Sequence, residues 1–421
     1  MSAPSTSPAT VAGATARASF AWALGALFFF YAFVQRVAPS VMVSEFMRDF
    51  AVGGAVVGHM AAFYLYAYAG LQIPLGLMFD RLGPRRLMAG AALVCALGGW
   101  LFAGADALWE AYLGRMLVGV GAAASWVGVL TVTAQWFPPA RFALFGGLAQ
   151  MMGMAGAVFG QAPLAEAVRQ FGWRPTLATI AVAAVALALG LFIAVRDRPP
   201  AAARRHSIGA DLAAVTRNPQ TWLAAAFGLA MTGPMLAFGG LWAVPFLGRA
   251  YGLDRPAAAA ATSLLFIGWG IGAPFMGWLS DRIGLRRPPM IAGAACAAAT
   301  LAAIVYIPDL PMTVLGGLML VHGIAASAMI VLFASVREHN RPAASGMAMG
   351  FANTAVVGSG AIFQPLIGAL LDVGWDGTLV EGARVYASGG YRWAFAVLLA
   401  ATTLGIAAAW AQRETYCRPV A

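Results

Sequence analysis

Twelve mostly apolar runs, each close to the length that crosses a bilayer, divide this chain of 421 residues. A helix needs about 20 residues to cross roughly 30 Å of hydrocarbon. Lipid offers no partner to a free N–H or C=O, so each run must satisfy its own backbone as a helix. Charged residues, 10% of the chain, gather between the runs, while 61% of the residues are hydrophobic and the mean hydropathy is +0.78. The expectation is an all-α membrane protein of 12 transmembrane helices in two pseudo-symmetric six-helix bundles. A flexible cytoplasmic tail (1–18) precedes the first bundle (19–195). A cytoplasmic central loop (196–220), rich in Arg and Pro, leads to the second bundle (221–411) and a cytoplasmic tail (412–421).

The division into halves rests on a repeat. GLMFDRLGPRR (76–86) returns as GWLSDRIGLRR (277–287), with Gly, Asp-Arg, Gly and Arg-Arg in the same register. Cys95 and Cys296 keep the same offset, GWR before the sixth run is echoed by GYR before the twelfth, and Gln161 and Pro163 by Gln364 and Pro365. A duplicated chain builds two similar units.

A net charge of +10 could signal a nucleic-acid partner, but its distribution indicates otherwise. All 26 basic residues are Arg, and with a cytoplasmic N-terminus most fall in the tails and loops on that side. That is the positive-inside bias, a mark of orientation. The expected setting is therefore the inner membrane, with both termini cytoplasmic. Three Cys make no disulfide framework, and no His/Cys cluster at zinc spacing is visible. No cofactor is expected, and a monomer is the simplest assembly.

The doubled loop resembles the signature of the major facilitator superfamily, and the likeness extends over nearly all of the chain. GRMLVGVGAA (114–123) is similar to that family's Arg-x-x-x-Gly-x-Gly motif in span four. The resemblance implies two six-helix bundles around a central cavity and alternating access by rocking of one half on the other. FVQRVAPSVM in span one and YAGLQIPLG in span two are similar to the branch that carries organic anions, phosphate esters and sugar acids. Gln35 stands where that branch has Asp, and Ala122 where an acid often follows the Gly-x-Gly.

Candidate residues for chemistry are few. Arg36 lies past the middle of span one, roughly 13 Å from the charged end at 1.5 Å per residue. A charge at that depth requires a wet cavity or a partner. It could bind a carboxylate or phosphate of a small solute, or pair with helix carbonyls or Glu45. Pro39 cannot donate to the carbonyl of Gln35, which leaves an acceptor free beside it. Tyr64, Tyr68 and Gln72 share one helical face and suit either a polar cavity wall or hydrogen bonding between helices. Arg115 is a candidate for coupling, or for structural pairing with Glu110. His322, the one His well inside a span, is a candidate substrate donor or proton carrier, or a packing residue. Asn353 adds a further substrate-binding candidate.

In the repeated loops, Gly76, Asp80, Arg81, Gly83, Arg85 and Arg86, with Gly277, Asp281, Arg282, Gly284, Arg286 and Arg287, are expected to gate. Asp can cap a neighbouring helix N-terminus and Gly permits the turn. The loops read either as a charge latch that breaks when the cytoplasmic side opens, or as anchors of orientation. The leading function is a secondary transporter of a small organic anion, coupled to protons or to another gradient. The alternatives are an exporter, a non-transporting sensor with this fold, or a copper transporter using Met231 and Met235. No HExxH, GxSxG or mid-span acid pair supports an enzyme.

Overall fold

The computed structural model describes residues 8–138, 141–197, 208–341 and 344–419. The first half comprises α1 (Pro8–Val37), α2 (Val43–Asp49), α3 (Gly54–Gly70), α4 (Gln72–Ala103), α5 (Leu108–Trp136), α6 (Phe142–Phe159), α7 (Ala162–Phe171) and α8 (Trp173–Ala194). The connecting segment carries α9 (Ile208–Arg217). The second half comprises α10 (Pro219–Pro234), α11 (Ala243–Tyr251), α12 (Arg255–Ile283), α13 (Arg287–Tyr306), α14 (Met312–Ala326), α15 (Val331–His339), α16 (Ser345–Val373) and α17 (Ser388–Ala411). A hairpin, Leu379–Val380 paired with Ala383–Arg384, lies between α16 and α17.

Among the described residues, 10 helices are long and apolar enough to cross a membrane unaided. The other two expected spans are present but interrupted. Span two runs through α3 into the first turns of α4 and ends at Gly83, whose positive φ of 74° turns the chain into span three. Span five is α6 followed by α7, broken at Gly160 and Gln161. The twelve-helix, two-bundle architecture holds, though not as unbroken rods.

Two boundaries differ from expectation. Helix α1 starts at Pro8, inside the segment expected as a flexible tail, because its Ala-rich stretch favours helix. Its membrane-length part is Ala16–Val41. The central loop likewise holds the short helix α9, and residues 198–207 lie outside the described set.

The first span of each half is interrupted at an equivalent place. After α1 the chain tightens into a 3-10 turn, Ala38–Val41, around Pro39. After α10 it widens into a π-helical stretch, Met235–Trp242, directly behind Pro234. The two interruptions touch, near one end of the bundle. The echoed glutamines converge on the π stretch. Gln364 donates to the carbonyl of Leu236 at 3.0 Å, and Gln161, from the other half, to that of Gly239 at 3.2 Å. Side chains on both halves thus satisfy carbonyls in an irregular stretch of backbone, which is how such backbone is tolerated inside a membrane protein.

The halves meet mainly along α3 against α16 and α6–α7 against α12. Along the first seam Gly54 and Gly58 face Gly368, Pro365 and Gln364. A methyl group on Gly58 would sit 2.5 Å from the Cα of Pro365. Small residues let backbones approach closely where lipid supplies no hydrophobic drive between helices.

Candidate functional site

Arg36 is 8% exposed and ringed by aromatic faces: Phe33 at 4.3 Å, Tyr68 at 4.7 Å and Tyr64 at 5.7 Å. Tyr64 and Tyr68 stack with centroids 5.9 Å apart, so the expected stripe forms one wall beside the guanidinium. Desolvated cation–π contacts are worth about 2 kcal/mol each, which offsets part of the cost of burying the charge. They do not satisfy its donors: Nε and Nη2 have no hydrogen-bond partner.

Neither structural partner considered for Arg36 is used. Glu45 pairs with Arg255 of the other half at 2.5 Å. The Gln35 carbonyl freed by Pro39 is taken by Arg115, whose Nη1 donates to it at 2.8 Å. Arg115 also donates to the Ala61 carbonyl at 3.4 Å and lies 5.2 Å from the Tyr64 ring. At 1% exposure it stitches α5 to α1 and α3. The alternative considered for it, pairing with Glu110, does not occur. Glu110 instead accepts the N–H groups of Asp106 and Ala107 at its own helix start.

Gln72 continues the aromatic wall and crosses the seam, its Oε1 accepting from Asn353 Nδ2 at 2.9 Å. Val357 and Ala361 of α16 pack into the same cluster as Tyr64 and Tyr68. The structure therefore gathers Arg36, Tyr64, Tyr68, Gln72 and Asn353 beside the α3–α16 seam, with Arg115 tied to α1 and α3 inside the first half.

It does not bring His322 there. That side chain is 1% exposed and its Nδ1 lies 3.1 Å from both the Thr300 hydroxyl and the Ala297 carbonyl of α13. Its contacts stay within the second half. Met231 and Met235 are buried in the packing of that half, and the described residues hold no cluster of three or more His, Cys, Asp or Glu that could bind a metal ion.

The repeated loops form two matching arrangements. In the first, Asp197 at the end of α8 accepts the Arg85 N–H at 2.9 Å, and a methyl group on Gly83 would collide with that carboxylate. Arg85 Nε donates to the Phe192 carbonyl at 2.7 Å. In the second, Glu414 beyond α17 accepts the Arg286 and Arg287 N–H groups at 2.8 and 2.9 Å. Burial pushes the Glu414 carboxyl up, but these backbone donors outweigh it and hold it below its ordinary value. Gly284, at φ 69°, closes α12 in the left-handed conformation.

Arg286 grips Glu338 side-on, with Nη2 at 2.6 Å and Nε at 3.1 Å, and reaches Asp281 at 2.6 Å. Burial lowers the basicity of this guanidinium, yet the two carboxylates raise it overall. Arg81, Arg86 and Arg282 are exposed, and a side chain at Gly277 would meet open space. Gly76 and the Asp80 side chain lie outside the described residues. Every described polar tie of these loops stays within its own half.

The ties between halves lie elsewhere. Asp372, at the end of α16, accepts the Gly54 and Ala55 N–H groups, both at 2.9 Å, and so caps α3 from across the seam. Tyr386 and Arg384 hold that carboxylate at 2.5 and 3.2 Å. The Arg255–Glu45 pair lies at the same end of the bundle. The signal was available: a lone acid closing an apolar run, and a Gly-x-x-x-Gly pair opening another.

A family model described as Major Facilitator Superfamily matches residues 24–243 and 235–416. The chain belongs to the Major Facilitator Superfamily. Among its relatives, the probable nitrate/nitrite transporter NarK2 of Mycobacterium tuberculosis is 27% identical over 270 residues, 63% of this chain and 67% of that protein. The probable L-galactonate transporter of Escherichia coli is 24% identical over 290 residues, 63% of this chain and 64% of that one. The galactarate/D-glucarate transporter GudP of Pseudomonas putida, itself described as probable, is 26% identical over 198 residues, 46% of this chain and 40% of GudP. The matched segments span from about a quarter to two thirds of the curated relatives. Among solved structures, a bacterial homolog of the human lysosomal transporter Spinster superposes with a TM-score of 0.77 at 16% identity, covering 94% of this chain and 96% of that one. The nucleoside transporter NupG gives 0.76 at 14% identity, covering 93% and 99%. As a superfamily member the chain is a multi-pass membrane protein with that fold.

Proposed function

We propose that this chain is a secondary transporter of a small anion, with Arg36 as its binding cation. One observation carries the reading: a buried guanidinium in the seam whose Nε and Nη2 have no partner. These two donors form one edge of the planar fork, the edge with which Arg286 grips the Glu338 carboxylate. A carboxylate or nitrate matches that edge with two parallel hydrogen bonds. Tyr64 and Tyr68 supply the wall, and Gln72 and Asn353 supply amide groups beside it. The substrates named for these three relatives, nitrate/nitrite, galactonate and galactarate/glucarate, are all anions.

Alternating access then requires one end sealed and the other free to part. Asp372–Gly54 and Glu45–Arg255 seal one end, whereas the repeated loops are tied within their own halves. With the termini cytoplasmic in an inner membrane, the sealed end faces outward.

Uptake of radiolabelled nitrate and D-glucarate into proteoliposomes tests the assignment. Arg36→Gln should abolish uptake of the accepted anion. Arg36→Lys should lower it about tenfold or more, since one ammonium cannot reproduce a two-donor edge. Undiminished uptake by both variants would remove Arg36 from the site. Binding without flux would favour the sensor reading.

A further inference from the structure

At the sealed end the halves enclose a cavity of about 320 Å³ between the α1–α2 break, α11 and the hairpin before α17. Its lining includes Arg249, Arg255 and Arg384 together with Tyr386, Tyr391 and Ser44, and no Asp or Glu. Two of the three arginines are already engaged, Arg255 by Glu45 and Arg384 by Asp372. Arg249, exposed in the last turn of α11, makes no direct salt bridge among the described residues, although Asp376 lies within range of its charge. A concave surface that carries an unpaired charge concentrates ions of the other sign. The volume suits a molecule the size of a small sugar acid.

We infer that this cavity is a second anion site, which recruits a small carboxylate on Arg249 and Arg255 before the halves part. The inference rests on the reading of the chain as an anion carrier and adds a step to it. An anion seated there competes with Glu45 for Arg255, and so loosens one of the polar ties that seal this end. Arrival of substrate thereby favours its own admission. Ser44, whose hydroxyl lies 3.4 Å from Arg255 Nη2, marks the place where the anion and Glu45 would exchange.

The test uses the full chain in nanodiscs, with Cys95, Cys296 and Cys417 replaced and one reporter thiol introduced by Ser44→Cys or, as a second position, Gly248→Cys. Reaction rates of anionic and cationic methanethiosulfonates are compared, each normalised to a free thiol. A positive cavity should favour the anionic reagent about tenfold, and Arg249→Gln should cut the ratio about threefold or more. Millimolar D-glucarate should slow labelling beyond sodium chloride of equal ionic strength. Arg36→Gln should change none of this while abolishing uptake, so the two readings fail separately. A ratio near one at both positions, a ratio indifferent to Arg249→Gln, or no protection by D-glucarate would each overturn the second site.

Discussion

Asp372 reaches across the seam and caps the helix that begins at Gly54, its carboxylate 2.9 Å from the Gly54 N–H. A charge-assisted hydrogen bond of this kind contributes about 1.5–3 kcal/mol. Asp372→Asn keeps the shape but removes the charge. It should shift the balance of the two access states about tenfold or more toward opening of this end. Thiol labelling of Ser44→Cys reports the shift as faster reaction with a neutral maleimide. An unchanged rate would reduce Asp372 to local packing.

Gly58 admits no side chain in this state, since a methyl would meet Pro365 Cα at 2.5 Å and the Gln364 carbonyl at 2.6 Å. Both neighbours are backbone atoms and cannot swing aside. Gly58→Ala should hold the α3–α16 seam apart and cut transport about tenfold or more, a small strain at a packed interface being enough. Uptake kinetics and crosslinking across the seam check this together. A fully active Gly58→Ala protein would mean that the seam never closes this far in the working cycle.

Arg115 satisfies backbone carbonyls on two other helices and contacts no acid among the described residues. Arg115→Met should therefore lower thermal stability, by about 2–4 kcal/mol for an orphaned acceptor and a lost buried cation. Its effect on KM should be small where the protein survives. A large KM change at unchanged stability would restore Arg115 to a direct role in binding or coupling.

Glu414 carries a pH signature. Its folded-state pKa is depressed, so its contribution is present above the ordinary carboxylate value, about 4.3. It is lost as pH falls through the depressed value. Acid scans of thermal stability should thus show a loss below about pH 4.3 that Glu414→Gln lacks. At neutral pH that variant should be less stable by about 1 kcal/mol, the scale of a lost helix cap. Identical scans for the two proteins would remove Glu414 as a cap.

His322→Asn keeps a polar group beside Thr300 and should retain most transport, with an unaltered dependence on external pH. The hydrogen bond of its Nδ1 with the Thr300 hydroxyl places it between α13 and α14. Loss of pH dependence in this variant would reinstate it as a proton carrier.

The fold was legible because apolar length and loop charge are local properties, and the doubled loop announced the two halves directly. Arg36 and the Tyr64–Tyr68 wall could also be read, since depth in a span and spacing on one helix are enough to mark them. The partners of each cation could not. Gln35 freed its carbonyl as Pro39 implied, yet the donor came from Arg115, some eighty residues away, and not from the adjacent guanidinium. Glu45 and Asp372 look ordinary in sequence because their meaning arises from groups in the opposite half. The choice among the readings of His322 could not be made from sequence, for a related reason. Its depth was correct, but the face it presents is set by how α14 packs on α13, and a helix with almost no amphipathic bias gives no hint of that.

Asp197 and Glu414 have a consequence for how this protein could have arisen and been tuned. Each half closes its third helix with an acid placed just beyond its own last helix, so each is fastened from end to end by its own chain. Such a half is a self-contained module. It can tilt as one body without rebuilding its loops, and substitutions that alter one module's cargo contacts leave the other's bracing intact. A duplicated ancestor with that property could let its copies diverge, one acquiring the lone Arg36, without losing the bracing that both share.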